Sequence, residues 1–141
     1  MRRITLAAAA AFLTMFVSGG TWNAIVMAGF YANQAPANAR LPEEQSFLAL
    51  IVGYVLLTFF MTFLYVQSFS QRPSWGASFQ FGALFGLIAT LPLYLILYAI
   101  WDFSAAHLLV DSIWHLVEQG IGAMVLGAVL FARTSHAAAS N

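Results

Sequence analysis

Four long apolar runs, joined by short polar connections, constrain this chain more than any other feature. They cover about residues 4–31, 47–68, 75–101 and 105–131. A helix of roughly 20 apolar residues, rising 1.5 Å per residue, crosses a hydrocarbon core about 30 Å thick. Each run meets that length. Only 7% of the 141 residues are charged, against about 25% in soluble domains, so no water-soluble surface can be built over these runs. The sequence therefore predicts an all-α integral membrane protein, a four-helix transmembrane bundle in a single domain. Residues 132–141 form a short polar tail, expected to be disordered.

Arginine placement sets the expected sidedness. The chain has no lysine. With four spans, Arg2, Arg3, Arg72 and Arg133 share one side, and Arg40 alone lies on the other. The positive-inside rule then places both termini in the cytoplasm. A positive start followed by Ala and Leu also describes a signal peptide. The first run extends through Trp22 to Tyr31, far beyond the usual apolar region of such a peptide, which favours an uncleaved helix. Cleavage would leave the sidedness of the other three spans unchanged.

The connections carry turn and cap signals. Residues 32–45 read as a loop ending in a helix start, where Pro42 fits the first turn and Glu43 and Glu44 suit the helix dipole. Pro73 turns the chain between the second and third spans. Asp102, Phe103 and Ser104 make a connection short enough to force the third and fourth spans to be antiparallel neighbours, with Ser104 as N-cap. Gly82 and Gly86 on the third span, and Gly120 and Gly127 on the fourth, offer small-residue faces for close helix packing. Pro92 removes the backbone donor for the Ile88 carbonyl and is expected to kink the third span. Thr90, Tyr94 and Tyr98 lie close enough to satisfy the freed groups. Trp75 and Trp101 read as interfacial belt residues.

Against this apolar background the fourth run carries ionisable groups. On a 100°-per-residue wheel, Asp111, Trp114, His115, Glu118 and Gly122 share an arc roughly 100° wide. A charge at the bilayer centre costs on the order of 3 kcal/mol on insertion scales, so the stripe must face inward or toward a partner. Trp22 and Asn23 of the first span, and Tyr94, Tyr98 and Trp101 of the third, reach similar depths. These residues define a candidate polar pocket in the outer half of the membrane, with Glu118 nearest the midplane. Glu118 is expected to be either protonated or hydrogen-bonded to His115, Asn23 or a third-span tyrosine.

Several classes are disfavoured. Without cysteine there is no disulfide and no thiolate metal site. Zero formal net charge and no basic run argue against nucleic acid as a partner. A di-iron centre needs a Glu-x2-His pair from each of two helices plus two further glutamates, whereas this chain has one reversed His115-x2-Glu118. A bis-histidine haem would need a second deep histidine, and His107 lies two turns closer to the interface. No cofactor or metal is expected, with metal or haem at His115 the remote alternative. No complete set of nucleophile, base and oxyanion donors can be assembled, so no catalytic residue is assigned.

Trp22-Asn23 with Phe30-Tyr31, the spaced glycines of the third span, and the Asp111, Trp114, His115, Glu118 series together resemble a group of small four-span bacterial inner-membrane proteins catalogued as domains of unknown function. The resemblance covers nearly the whole chain and implies a multi-pass protein of the bacterial inner membrane. Members of that group often carry His or Tyr where this chain has Asn23. Two functional expectations follow. The first is an accessory or scaffold subunit of a larger inner-membrane complex, or a homo-oligomer, with the lipid bilayer as its other partner. The second is a proton- or small-molecule-handling protein that uses the pocket of Asp111, His115 and Glu118.

Overall fold

The computed structural model describes residues 1–34, 44, 46–100 and 104–132. Every element in it is helical: α1 (Arg2–Thr21), a π-helical segment (Trp22–Val26), α2 (Ala28–Gln34), α3 (Phe47–Ser68), α4 (Trp75–Ile100) and α5 (Ala105–Leu130). Four helices are long and apolar enough to cross a membrane, the first running from Arg2 to Val26. Successive long helices alternate in direction. Arg3 at the start of α1 donates to the Ala132 carbonyl just past α5 (3.1 Å), and Tyr94 of α4 meets Asp111 near the start of α5. Tyr54 and Tyr65 of α3 lie beside Glu118 and Gly127 of α5, so those two helices run parallel.

The helix ends follow local chemistry. Ser46 caps α3 by accepting from the Ala49 amide (3.2 Å), and Ser104 caps α5 by accepting from the His107 amide (3.0 Å), each satisfying an otherwise orphaned donor. At α4 the Ser74 hydroxyl accepts from Ala77 (3.1 Å). The helix start expected around Pro42 to Glu44 falls mostly outside the described residues, which leave out Pro42 and Glu43, as they do Arg40, Trp101, Asp102, Phe103 and the tail from Arg133.

Helix α5 is the axis of the bundle. It packs most extensively on α4, then on α1, while α3 touches α1 and only lightly the other two. The buried face of α1 is a stripe of every fourth residue, Ala7, Ala11, Met15 and Gly19, the spacing that stacks side chains on one helix face. Its small side chains let α1 lie close on α5. On α4 the buried set is Ser78, Gly82, Ala83 and Gly86. A Cβ at Gly82 would sit against the Gln119 carbonyl, and one at Gly86 would stand 2.6 Å from the His115 carbonyl. The α4–α5 contact is therefore backbone on backbone. Gly120 abuts the Phe79 ring, and Gly127 abuts the Tyr65 hydroxyl. Outward-facing rows such as Val55, Leu56, Phe59, Phe60 and Phe63 of α3 are exposed.

Helix α4 continues unbroken through Pro92. The neighbouring side chains are used elsewhere: Thr90 donates to the Gly86 carbonyl (2.7 Å), and Tyr94 turns to Asp111.

The first run is not one continuous α-helix. The Met27 amide bonds to the Trp22 carbonyl five residues back (2.8 Å), the signature of a π turn. Met27 itself leaves helical geometry (φ −113°, ψ 13°) before α2 begins. One extra residue in the turn rotates everything that follows it about the helix axis.

Candidate functional site

The ionisable residues of α5 are joined by side chains from α2, α3 and α4. Tyr31 on α2 receives the Trp22 Nε1 hydrogen (3.1 Å) and donates its own to Asp111 Oδ1 (2.8 Å). Tyr94 on α4 donates to Asp111 Oδ2. His115 Nε2 lies 3.1 Å from the Tyr94 hydroxyl and 3.6 Å from Asp111 Oδ2. Its Nδ1 lies 3.1 Å from Glu118 Oε2. Tyr54 on α3 donates to Glu118 Oε1 (2.9 Å), and the Gln119 amide donates to Oε2 (3.3 Å). Glu118 and Gln119 are fully buried.

Two of these contacts depend on local backbone. A side chain at Gly19 would occupy the space of the Tyr54 hydroxyl and Glu118 Oε1. Glycine on α1 thus lets the tyrosine of α3 reach the glutamate of α5. The π segment carries Trp22 onto Trp114, and α2 then delivers Tyr31 over Asp111, with its ring 5.1 Å from His107.

With Asp111 as a carboxylate, donor directions place the remaining protons. Tyr31 accepts from Trp22, so its own hydrogen goes to Asp111. With Tyr94 also donating to Asp111, the Tyr94 oxygen must accept from His115 Nε2–H. His115 Nδ1 then faces Glu118 with a single proton between them. The pair is either imidazolium and carboxylate or neutral imidazole and carboxylic acid. In both cases the cluster carries one net negative charge. No arginine compensates it among the described residues: Arg2 is exposed, Arg3 donates to Ala132, and Arg72 lies over the Trp75 ring.

A cavity of about 250 Å³ between α4 and α5 opens against this cluster, lined by Tyr94, Leu97, His107, Leu108 and Asp111. Past Glu118 in the other direction the interior is apolar. Met15, Met61, Ala11, Ala123 and Leu126 fill it, and a Cβ at Gly122 would press on Met15. The Tyr65–Ser78 hydrogen bond (2.8 Å) beyond that floor is a separate polar pair.

Of the residues singled out in the sequence, Asp111, His115, Glu118 and Tyr94 meet in one hydrogen-bonded cluster. Trp22 and Trp114 stack beside it, although Trp114 Nε1 is buried with no acceptor among the described residues. Asn23 is not part of the cluster. The π turn leaves it exposed, and its amide folds back to the Gly19 carbonyl (2.9 Å). Tyr98, one turn beyond Tyr94, is 48% exposed and stays outside. Tyr31, Tyr54 and Gln119 were not assigned to the pocket. Tyr54 lies with Thr58, Thr62 and Tyr65 in a mildly polar stripe at helical spacing on α3, which is the signal the sequence offers. Gln119 faces α4, off the arc, and nothing in its spacing marked it.

Among the described residues no group of three or more His, Asp and Glu side chains is disposed to hold a metal ion. Comparison with protein-family models, with curated proteins and with solved structures gave no match.

Proposed function

We propose that the chain is an integral membrane protein whose interior takes up a proton at Asp111 and relays it to Glu118. The observation that carries this reading is the unbroken hydrogen-bond path Asp111, Tyr94, His115, Glu118. With the proton on Asp111 the hydrogens of the path point the other way, Tyr94 donating to a bare His115 Nε2 and His115 Nδ1–H to an ionised Glu118, and the Asp111 proton passes to the Tyr94 oxygen as Tyr94 releases its own hydrogen to Nε2. The imidazole, now protonated on both nitrogens, gives its Nδ1 proton to Glu118. Each bond made has a matching bond broken, and the net result is one proton moved inward. Intramembrane ionisable groups commonly mark such paths. Membrane residence draws on the four apolar helices and on the exposed apolar rows that would otherwise face water. Arginine distribution supports cytoplasmic termini, and the resemblance noted above supports the bacterial inner membrane.

Infrared difference spectroscopy on the purified protein in detergent tests the reading. Acidification should produce the C=O stretch of a buried carboxylic acid, and Glu118→Gln should remove it. A spectrum without that band at any pH at which the protein stays folded would overturn the proposal.

The accessory-subunit reading draws on a different observation. An apolar groove of about 680 Å³ runs between α1 and α3, lined by residues including Ala8, Phe12, Phe59 and Phe63. Stoichiometric co-purification of a membrane partner in mild detergent would support that reading.

A further inference from the structure

We infer that the cavity against Asp111 binds a compact monovalent organic cation, an alkylammonium ion, beside the charge of the cluster. The inference rests on the proton-relay reading above and names a ligand for the same site.

Charge is the first argument. The cluster retains one negative charge in either placement of the His115–Glu118 proton, and it lies in a low-dielectric interior, where an uncompensated charge is costly. Among the described residues no side chain neutralises it, and a cation in the cavity would. The described titratable groups facing Asp111 are Tyr31 from α2, Tyr94 from α4, and His107, His115 and Glu118 from α5, with Tyr54 of α3 behind Glu118. None is a permanent cation.

The walls supply the second argument. The cavity of about 250 Å³ has Asp111 at one side, with the Tyr94 and His107 rings and Leu97 and Leu108 around the rest. A bare divalent or alkali metal ion requires several oxygen ligands to replace its water, and among the described residues this cavity borders a single carboxylate. An alkylammonium ion requires much less. Its charge pairs with the carboxylate, its alkyl groups lie on leucine, and aromatic faces attract it further. The volume restricts it to a small head. The Asp111 oxygens already accept from Tyr31 and Tyr94, and each retains a second lone pair for the incoming cation.

Tetramethylammonium is the probe, and calorimetric titration of the full chain in detergent is the measurement. Saturable binding of one cation per chain is expected, and tert-butanol, a neutral molecule of similar bulk, should not compete. Asp111→Asn should weaken binding about 10- to 100-fold, the loss of a charge-assisted contact. Because Asp111→Asn can also disturb folding, Leu97→Trp provides a second route: it fills the cavity without touching the carboxylate and should abolish binding with the thermal melt retained. Absence of binding to the wild-type protein, or an affinity equal to the wild type's in both folded variants, would overturn the inference. The infrared carboxyl band of the wild-type protein separates the two claims. If that band titrates while tetramethylammonium fails to bind, the relay stands and the cation assignment falls; if the band is absent, the relay itself has failed.

Discussion

Trp22 and Trp114 lie face to face, with ring centroids 4.3 Å apart and planes within 1° of parallel. The contact joins the π segment to α5, and Trp22 Nε1 steadies the tyrosine that covers Asp111. Aromatic pairs contribute about 0.5–1.5 kcal/mol beyond their burial. A double-mutant cycle of Trp22→Leu and Trp114→Leu, read from thermal melts in detergent, should give a coupling energy in that range. Strictly additive losses would show that the stack is incidental.

Glu118 is the residue on which the interior depends most. In Glu118→Gln, the amide oxygen can accept from Tyr54 and the amide nitrogen can donate to His115, so the protein should fold with a near-normal melt and lose the relay. Glu118→Leu leaves the Tyr54 hydroxyl, the Gln119 amide and His115 without their partner. Each buried group so stranded costs about 1–3 kcal/mol. Equal melts for the wild-type, glutamine and leucine proteins, with full activity in the leucine variant, would mean that Glu118 has no role.

Tyr94→Phe keeps the ring and deletes the hydroxyl that links Asp111 to His115. A proton reaching Asp111 then has a gap of 3.6 Å to His115 Nε2 with no carrier between. Protonation of Glu118 after a pH jump, followed by time-resolved infrared spectroscopy, should slow by about 100-fold or more, the lower end of what a positioned proton donor contributes. An unchanged rate would remove Tyr94 from the path.

The glycines separate into two kinds, and alanine substitution should distinguish them. At Gly82 an added Cβ collides with the Gln119 backbone carbonyl, which cannot rotate away, whereas at Gly20 it meets nothing within 4 Å. Gly82→Ala should destabilise by about 1–3 kcal/mol through overpacking. Gly20→Ala should be neutral or stabilising by up to about 1 kcal/mol, from helix propensity. Parallel melts of the two variants check the contrast.

The helices and the ionisable stripe were legible in the sequence, for different reasons. Apolar length marked α3, α4 and α5 to within a residue or so, because an apolar run is bounded by its own polar flanks. Asp111, His115 and Glu118 fell on one face by helical spacing alone. Their partners were harder to see. Tyr31 and Tyr54 reach the stripe only because of how α2 and α3 are rotated and how closely Gly19 lets them approach, and rotation is a property of pairs of helices. Asn23 was misplaced for a still more local reason. A uniform 100° wheel turns it toward α5, but the π turn spends one additional residue at that point, and its amide turns back onto α1.

The apolar floor of Met15, Met61 and Leu126 beneath Glu118 gives the molecule an electrical character. Asp111 and Glu118 are seven residues apart on α5, which is about 10 Å along its axis, or roughly a third of a hydrocarbon core about 30 Å thick. A unit charge crossing the full membrane gains about 2.3 kcal/mol per 100 mV. A proton that stops at Glu118 therefore gains about 0.8 kcal/mol per 100 mV, which is close to a fourfold change in its partition between the two carboxylates. For the proposed relay, seated in an energised membrane with both termini in the cytoplasm, the transmembrane voltage and the external pH would together set how often Glu118 is charged, without any ion completing the crossing.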